Sequence, residues 1–190
     1  MAIDTSDFKN GIAFYLEGEV YQIVEFQHVK PGKGGAFVRT RLRKLKTGSV
    51  IEKTFRSGEK VEPAWMERRK MQFLYRAGDE LVLMDLDNYE QDHVTEAKFG
   101  PTSVYLKEEM EVGALTVDGE VLGYEVPNTV ELLVEQTDPG VKGDTVSGGV
   151  TKPAVLESGA TVNVPLHINE GDLIKVDTRT ASYIERVSKK

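Results

Sequence analysis

The sequence predicts an all-β protein made of three small β-barrel domains. Two observations carry this. Short runs of β-branched and aromatic residues with period-two alternation recur along the chain, separated by Gly, Pro and Asp-Gly turns. The 190 residues also divide after Pro63 and after Val126 into segments of 1–63, 64–126 and 127–190. Each segment is about the size of a five- or six-stranded barrel with a modest core. No low-complexity linker separates them, so the modules are expected to abut.

In chain order, residues 20–26 (Val-Tyr-Gln-Ile-Val-Glu-Phe) alternate and are rich in β-formers. Residues 37–43 alternate too, which places Arg39, Arg41 and Arg43 on one strand face. A strand over 49–55 follows the Thr47-Gly48 turn. Residues 71–75 and 81–84 flank Ala77-Gly78-Asp79 as a hairpin. Residues 115–117 and 121–124 flank Asp118-Gly119, a strong hairpin-turn signal. Strands over 130–134, 161–164, 173–177 and 183–187 complete the set. Helix is scarce; the best candidate is 102–109, capped by Thr102 or Ser103.

Composition excludes several kinds of chemistry. With no cysteine, the chain has no disulfide framework, thiolate metal site or cysteine nucleophile. His28, His93 and His167 lack metal-ligand spacing, and no metal or cofactor is expected. The first residues do not read as a signal peptide, and no run of about 18 apolar residues occurs. A cytoplasmic protein without membrane contact is expected. Carboxylate groups such as Asp85-Asp87 and Glu108-Glu109-Glu111 lack a partnering histidine or calcium-loop pattern.

The formal charge of −7 argues at first against a nucleic-acid partner. Its distribution argues otherwise. Segment 1–63 has 11 basic and 8 acidic residues (+3), segment 64–126 has 6 and 14 (−8), and segment 127–190 has 7 and 9 (−2). Residues 29–60 hold ten basic residues against Glu52 and Glu59, a local +8. Such a run is either a solvated surface or a polyanion-binding face. In the second case the acidic remainder would suppress indiscriminate binding.

The sharpest local feature lies between two expected strands: Lys30-Pro31-Gly32-Lys33-Gly34-Gly35. Glycine and proline bracket Lys33 and leave it uncrowded at a hairpin tip. It is not a phosphate-binding Walker loop, because a strand follows where a helix is required. It reads either as an ordinary glycine-rich loop with solvated lysines, or as a lysine presented to a polyanion or to a modifying enzyme. In the latter case Arg39, Arg41 and Arg43 would supply phosphate contacts. Trp65, beside Pro63-Ala64 at an expected boundary, reads as an inter-domain packing residue in preference to a base-stacking platform.

The stretch from Phe26-Gln27-His28-Val29 through the lysine loop to Phe37-Val38-Arg39 resembles the bacterial elongation factor P family. So do Glu52-Lys53-Thr54-Phe55-Arg56, Met71-Gln72-Phe73-Leu74-Tyr75, Gly143-Asp144-Thr145 and Lys152-Pro153-Ala154. The similarity runs in order over essentially the whole chain. It implies an L-shaped arrangement of an SH3-like (KOW-type) N-terminal domain and two OB folds. It implies a non-enzymatic, monomeric elongation factor that binds the 70S ribosome and its rRNA between the P and E sites. There the family contacts P-site peptidyl-tRNA and relieves stalling at consecutive prolines. By the same resemblance Lys33 faces the tRNA acceptor end and is the target of a lysine-modifying enzyme. Gly143, Asp144 and Thr145 face the E-site codon and small subunit, and Tyr183 and Arg186 are candidate ribosome or tRNA contacts.

Three competing readings differ in what they need. A generic single-stranded nucleic-acid module would carry its cations on the OB-type barrels, which here are the acidic segments. A Schiff-base enzyme needs a desolvated lysine, which the open loop opposes. A paralogous factor with the same fold but no role at prolines shares every feature above.

Overall fold

The computed structural model describes residues 1–140 and 149–190. Three antiparallel sheets follow one another along the chain, each with its own apolar core. The first contains β1 (Ile3–Asp4), β2 (Ala13–Leu16), β3 (Glu19–Val29), β4 (Phe37–Lys44), β5 (Val50–Arg56) and β6 (Lys60–Pro63), in the order β1-β6-β2-β3-β4-β5. Phe8 stacks on Phe14 at 5.7 Å, and Phe55 meets both rings edge-on at 5.4 and 5.8 Å. The second contains β7 (Met66–Ala77), β8 (Glu80–Asp85), β9 (Gln91–Thr95), β10 (Glu111–Val117) and β11 (Glu120–Glu125), in the order β11-β10-β7-β8-β9. The third contains β12 (Thr129–Thr137), β13 (Thr151–Leu156), β14 (Thr161–Pro165), β15 (Leu173–Asp177) and β16 (Ser182–Ser188), in the order β14-β13-β12-β15-β16.

Some strands exceed their apolar signal. β7 begins at Met66, well before the apolar residues 71–75. Its charged start is held by ladder bonds to β10 and by ion pairs from Arg68 to Glu125 and from Lys70 to Glu111. β13 contains Pro153, which disguises it, since proline cannot donate to a ladder. The pairing with β12 runs from Leu156 to Ala154 and stops before the proline.

The expected helix at 102–109 is not formed. The chain instead makes 3-10 turns over Glu96–Tyr105, interrupted at Gly100 (φ 65°, ψ −153°) and followed there by Pro101. That conformation is open essentially only to glycine. Thr102 caps nothing; its hydroxyl donates to the Phe99 carbonyl at 2.9 Å. The irregular path lets one short segment reach three places. Phe99 enters the second core and stacks on Tyr124 at 5.3 Å, while burial pushes the Tyr124 phenol up to about 12. Tyr105 enters the third core, and Gly100 lies against Gly48 of the first barrel.

The first two barrels share a fourth apolar cluster: Ala13, Val20, Leu45 and Ala64 from one, Leu115, Val117 and Leu122 from the other. This explains why β10 is buried on both faces. Val112 and Ala114 point into their own core, and Leu115 and Val117 into the joint. A Cβ built on Gly48 (φ 72°) would meet the Gly100 Cα at 2.7 Å and the Ala97 carbonyl at 2.9 Å. Gly48→Ala should therefore cost about 2 kcal/mol, from backbone strain and overlap with main-chain atoms. Gly58→Ala, at φ 82° in open space, should cost about 1 kcal/mol. Urea unfolding followed by circular dichroism measures both, and equal costs would show that the approach of the two glycines is unimportant.

Candidate nucleic-acid interface

The β3–β4 hairpin pairs as far as Val29 opposite Phe37, so residues 30–36 form the loop and Lys33 is its central residue. Alternation fixes the hairpin beneath it. Val38 and Leu42 of β4 are fully buried in the first core with Ile23 of β3. The loop's root is tied down where Ser57 N–H donates to the Ala36 carbonyl at 3.0 Å. Residues Lys30, Pro31, Gly32, Lys33, Gly34 and Gly35 are all exposed, and Gly34 has φ 106°. No hydrogen bond or ion pair holds the Lys33 ammonium among the described residues. An exposed, unpaired cation thus stands at the end of a well-packed hairpin.

Arg39, Arg41 and Arg43 share one face, but their surroundings differ. Arg39 is exposed and lies 5.5 Å from the Phe37 ring centre. Arg41 is 3.5 Å from Glu25 on β3 and sits opposite Glu52 on β5. Arg43 is half-buried and donates to the Gln22 side-chain carbonyl at 3.3 Å. Burial lowers its pKa, and the nearby Glu125 partly restores it. Arg56, which the sequence reading passed over, is placed opposite Phe37 by the β4–β5 register. The cations grouped toward the tip are therefore Lys30, Lys33, Arg39 and Arg56, with Arg41 neutralised in part and Arg43 turned to structural work.

The other candidate residues lie elsewhere. Gly143, Asp144 and Thr145 fall outside the described residues. Tyr183 packs against the third core, and Arg186 is 3.5 Å from the buried Asp172. Trp65 is not inter-domain packing: it is 77% exposed, although its neighbour Ala64 is buried in the joint. Among the described residues no cluster of metal-ligating side chains occurs, and no helix is long and apolar enough to cross a membrane. Asp85 is held by the Arg69 guanidinium and accepts from Asp87 N–H at 2.8 Å, as a turn residue does.

Three family models match in succession: the elongation factor P KOW-like domain over residues 4–61, its OB domain over 66–124 and its C-terminal domain over 130–186. The chain belongs to the elongation factor P family. An elongation factor P of Natranaerobius thermophilus is 59% identical over 185 residues, covering 97% of this chain and 98% of that one. One from Pelotomaculum thermopropionicum is 55% identical, covering 97% and 100%. A solved structure titled eukaryotic translation initiation factor 5A, from Methanococcus jannaschii, aligns over 67% of this chain and 92% of that one at TM-score 0.47 and 26% identity. The chain is thus a translation elongation factor by family, built of a KOW-like domain and two OB domains.

Two outcomes separate structural arginines from a free one. Arg43→Ala should cost about 1–2 kcal/mol in urea unfolding, because it strips the buried Gln22 side-chain carbonyl of its donor. Arg39→Ala should stay within about 0.5 kcal/mol. A further outcome concerns Asp172. Burial opposes its ionisation, but N–H donors from Asn169 (2.9 Å) and Lys190 (3.3 Å) and the Arg186 guanidinium outweigh that and hold its pKa below the usual carboxylate value. A carboxyl depressed by folding stabilises above its unfolded pKa of about 4, and that contribution fades as pH falls through the folded value. Stability should drop on acidification below about pH 4, and Asp172→Asn should flatten that part of the pH profile.

Proposed function

We propose that this elongation factor acts in the cytoplasm as a monomer on the 70S ribosome, binding between the P and E sites and contacting P-site peptidyl-tRNA. There it stimulates peptide-bond formation at consecutive prolines. The observation that carries the reading is the unpartnered, exposed Lys33 at the centre of a seven-residue loop on a rigid hairpin.

Proline's fixed φ restricts both donor and acceptor, so a stall is a failure to reach attack geometry. A factor that holds the tRNA acceptor end in a productive pose lowers that entropic barrier without supplying an acid or base. Lys33, with no enclosing side chains, can follow a nucleic-acid backbone, and Arg39, Lys30 and Arg56 would grip phosphates beside it. Contacts of this kind recognise RNA by shape and backbone. The same exposure makes Lys33 accessible to a lysine-modifying enzyme that would lengthen its reach.

Lys33→Ala should leave unfolding unchanged and keep most ribosome binding, but reduce rescue of a Pro-Pro-Pro template roughly tenfold or more. In-vitro translation with purified components measures this, and undiminished rescue would remove Lys33 from the mechanism.

A further inference from the structure

Trp65 stands at the two-residue joint between β6 and β7, and it borders an open cleft of about 500 Å³. Two hairpin turns, one from each barrel, meet there. Glu17-Gly18 links β2 to β3, and Asp118-Gly119 links β10 to β11. In each the acidic residue takes the left-handed conformation (φ 53° and 52°), followed by glycine at φ 80°. Glu62 of β6 lies beside them, and the Tyr15 hydroxyl donates to Asp118 at 2.8 Å, tying the turn of one barrel to a strand of the other. The carboxylate of Asp118, with Glu62 nearby, raises the Tyr15 pKa and so keeps the phenol a donor. Three carboxylates therefore border the cleft with an exposed indole, and apart from the Met1 α-ammonium no cationic group is among the residues bordering it.

We propose that this cleft is a docking site for a protein segment that presents arginine. A planar guanidinium stacks on an indole face and reaches carboxylates with its fork of donors. The charge complementarity selects the occupant. An RNA base could use the same indole, but its phosphates would face Glu17, Glu62 and Asp118. The cleft differs from the lysine tip in the sign of its charge, and the inference rests on the joint and not on any role of Lys33.

Trp65 is the sole tryptophan, so its fluorescence reports on this site alone. The probes are the blocked peptide acetyl-Gly-Arg-Gly-Arg-Gly-amide, the same peptide with glutamine for arginine, and an oligouridylate. The arginine peptide should shift the emission saturably and the glutamine peptide should not. The double variant Glu17→Gln, Glu62→Gln should weaken the arginine peptide about fivefold, with unfolding unchanged. Trp65→Ala, followed by calorimetry, should weaken it about tenfold. Binding unaltered in the double variant, equal binding of the glutamine peptide, or tighter binding of the oligouridylate at Trp65 would each overturn the assignment.

Discussion

The seating of the second barrel on the first depends on a close approach of two backbones beside their shared apolar cluster. Gly48, in the turn after β4, meets Gly100 with no side chain on either residue to hold them apart. That contact seats residues 96–105 between the barrels, and the same short segment delivers Phe99 to the second core and Tyr105 to the third. A regular helix could not do this. Its side chains would follow a 3.6-residue period, whereas the targets lie in different directions. The Gly100 break and Pro101 give up regular structure where the chain must serve two cores and also meet a turn of the first barrel.

The joint supports the tip. Leu45 lies one residue beyond β4, and it is buried in the shared cluster while the far end of the same strand leads from the lysine loop. The hairpin is thus clamped at its base and free at its end. Charge follows the same division. The basic surplus of residues 29–60 is partly cancelled near the base, where Arg41 faces Glu25 and Glu52 and Arg43 is drawn inward. It persists around Lys30, Lys33, Arg39 and Arg56. An overall charge of −7 therefore coexists with a cationic end.

The three-barrel plan and the loop were legible in the sequence because both depend on local chemistry. Alternation marks most strands, and Gly and Pro on both sides of Lys33 mark an open turn. What escaped depends on partners remote in sequence. The common face of Arg39, Arg41 and Arg43 follows from period two, but the meeting of Arg41 with Glu25 and Glu52, and of Arg43 with Gln22, is set by cross-strand register. Trp65 follows Pro63-Ala64 and reads as packing from sequence alone; in the fold its neighbour Ala64 is buried in the joint while the indole is left exposed. β13 was hidden by Pro153, whose harmlessness rests on where the pairing with β12 ends. The helix expected over 102–109 failed because propensity in a short segment yields to the demands of tertiary contacts.

The double-sided burial of β10 has a consequence for the order in which this protein comes into being. The first barrel is complete once Ala64 has been made, but the residues that cover Ala13, Val20 and Leu45 run from Leu115 to Leu122. At roughly 5–20 residues per second, a nascent chain carries that apolar patch uncovered for about 3–12 s. The interval between closing the first barrel and capping it is when association with a neighbouring nascent chain, or capture by a chaperone, competes with correct docking.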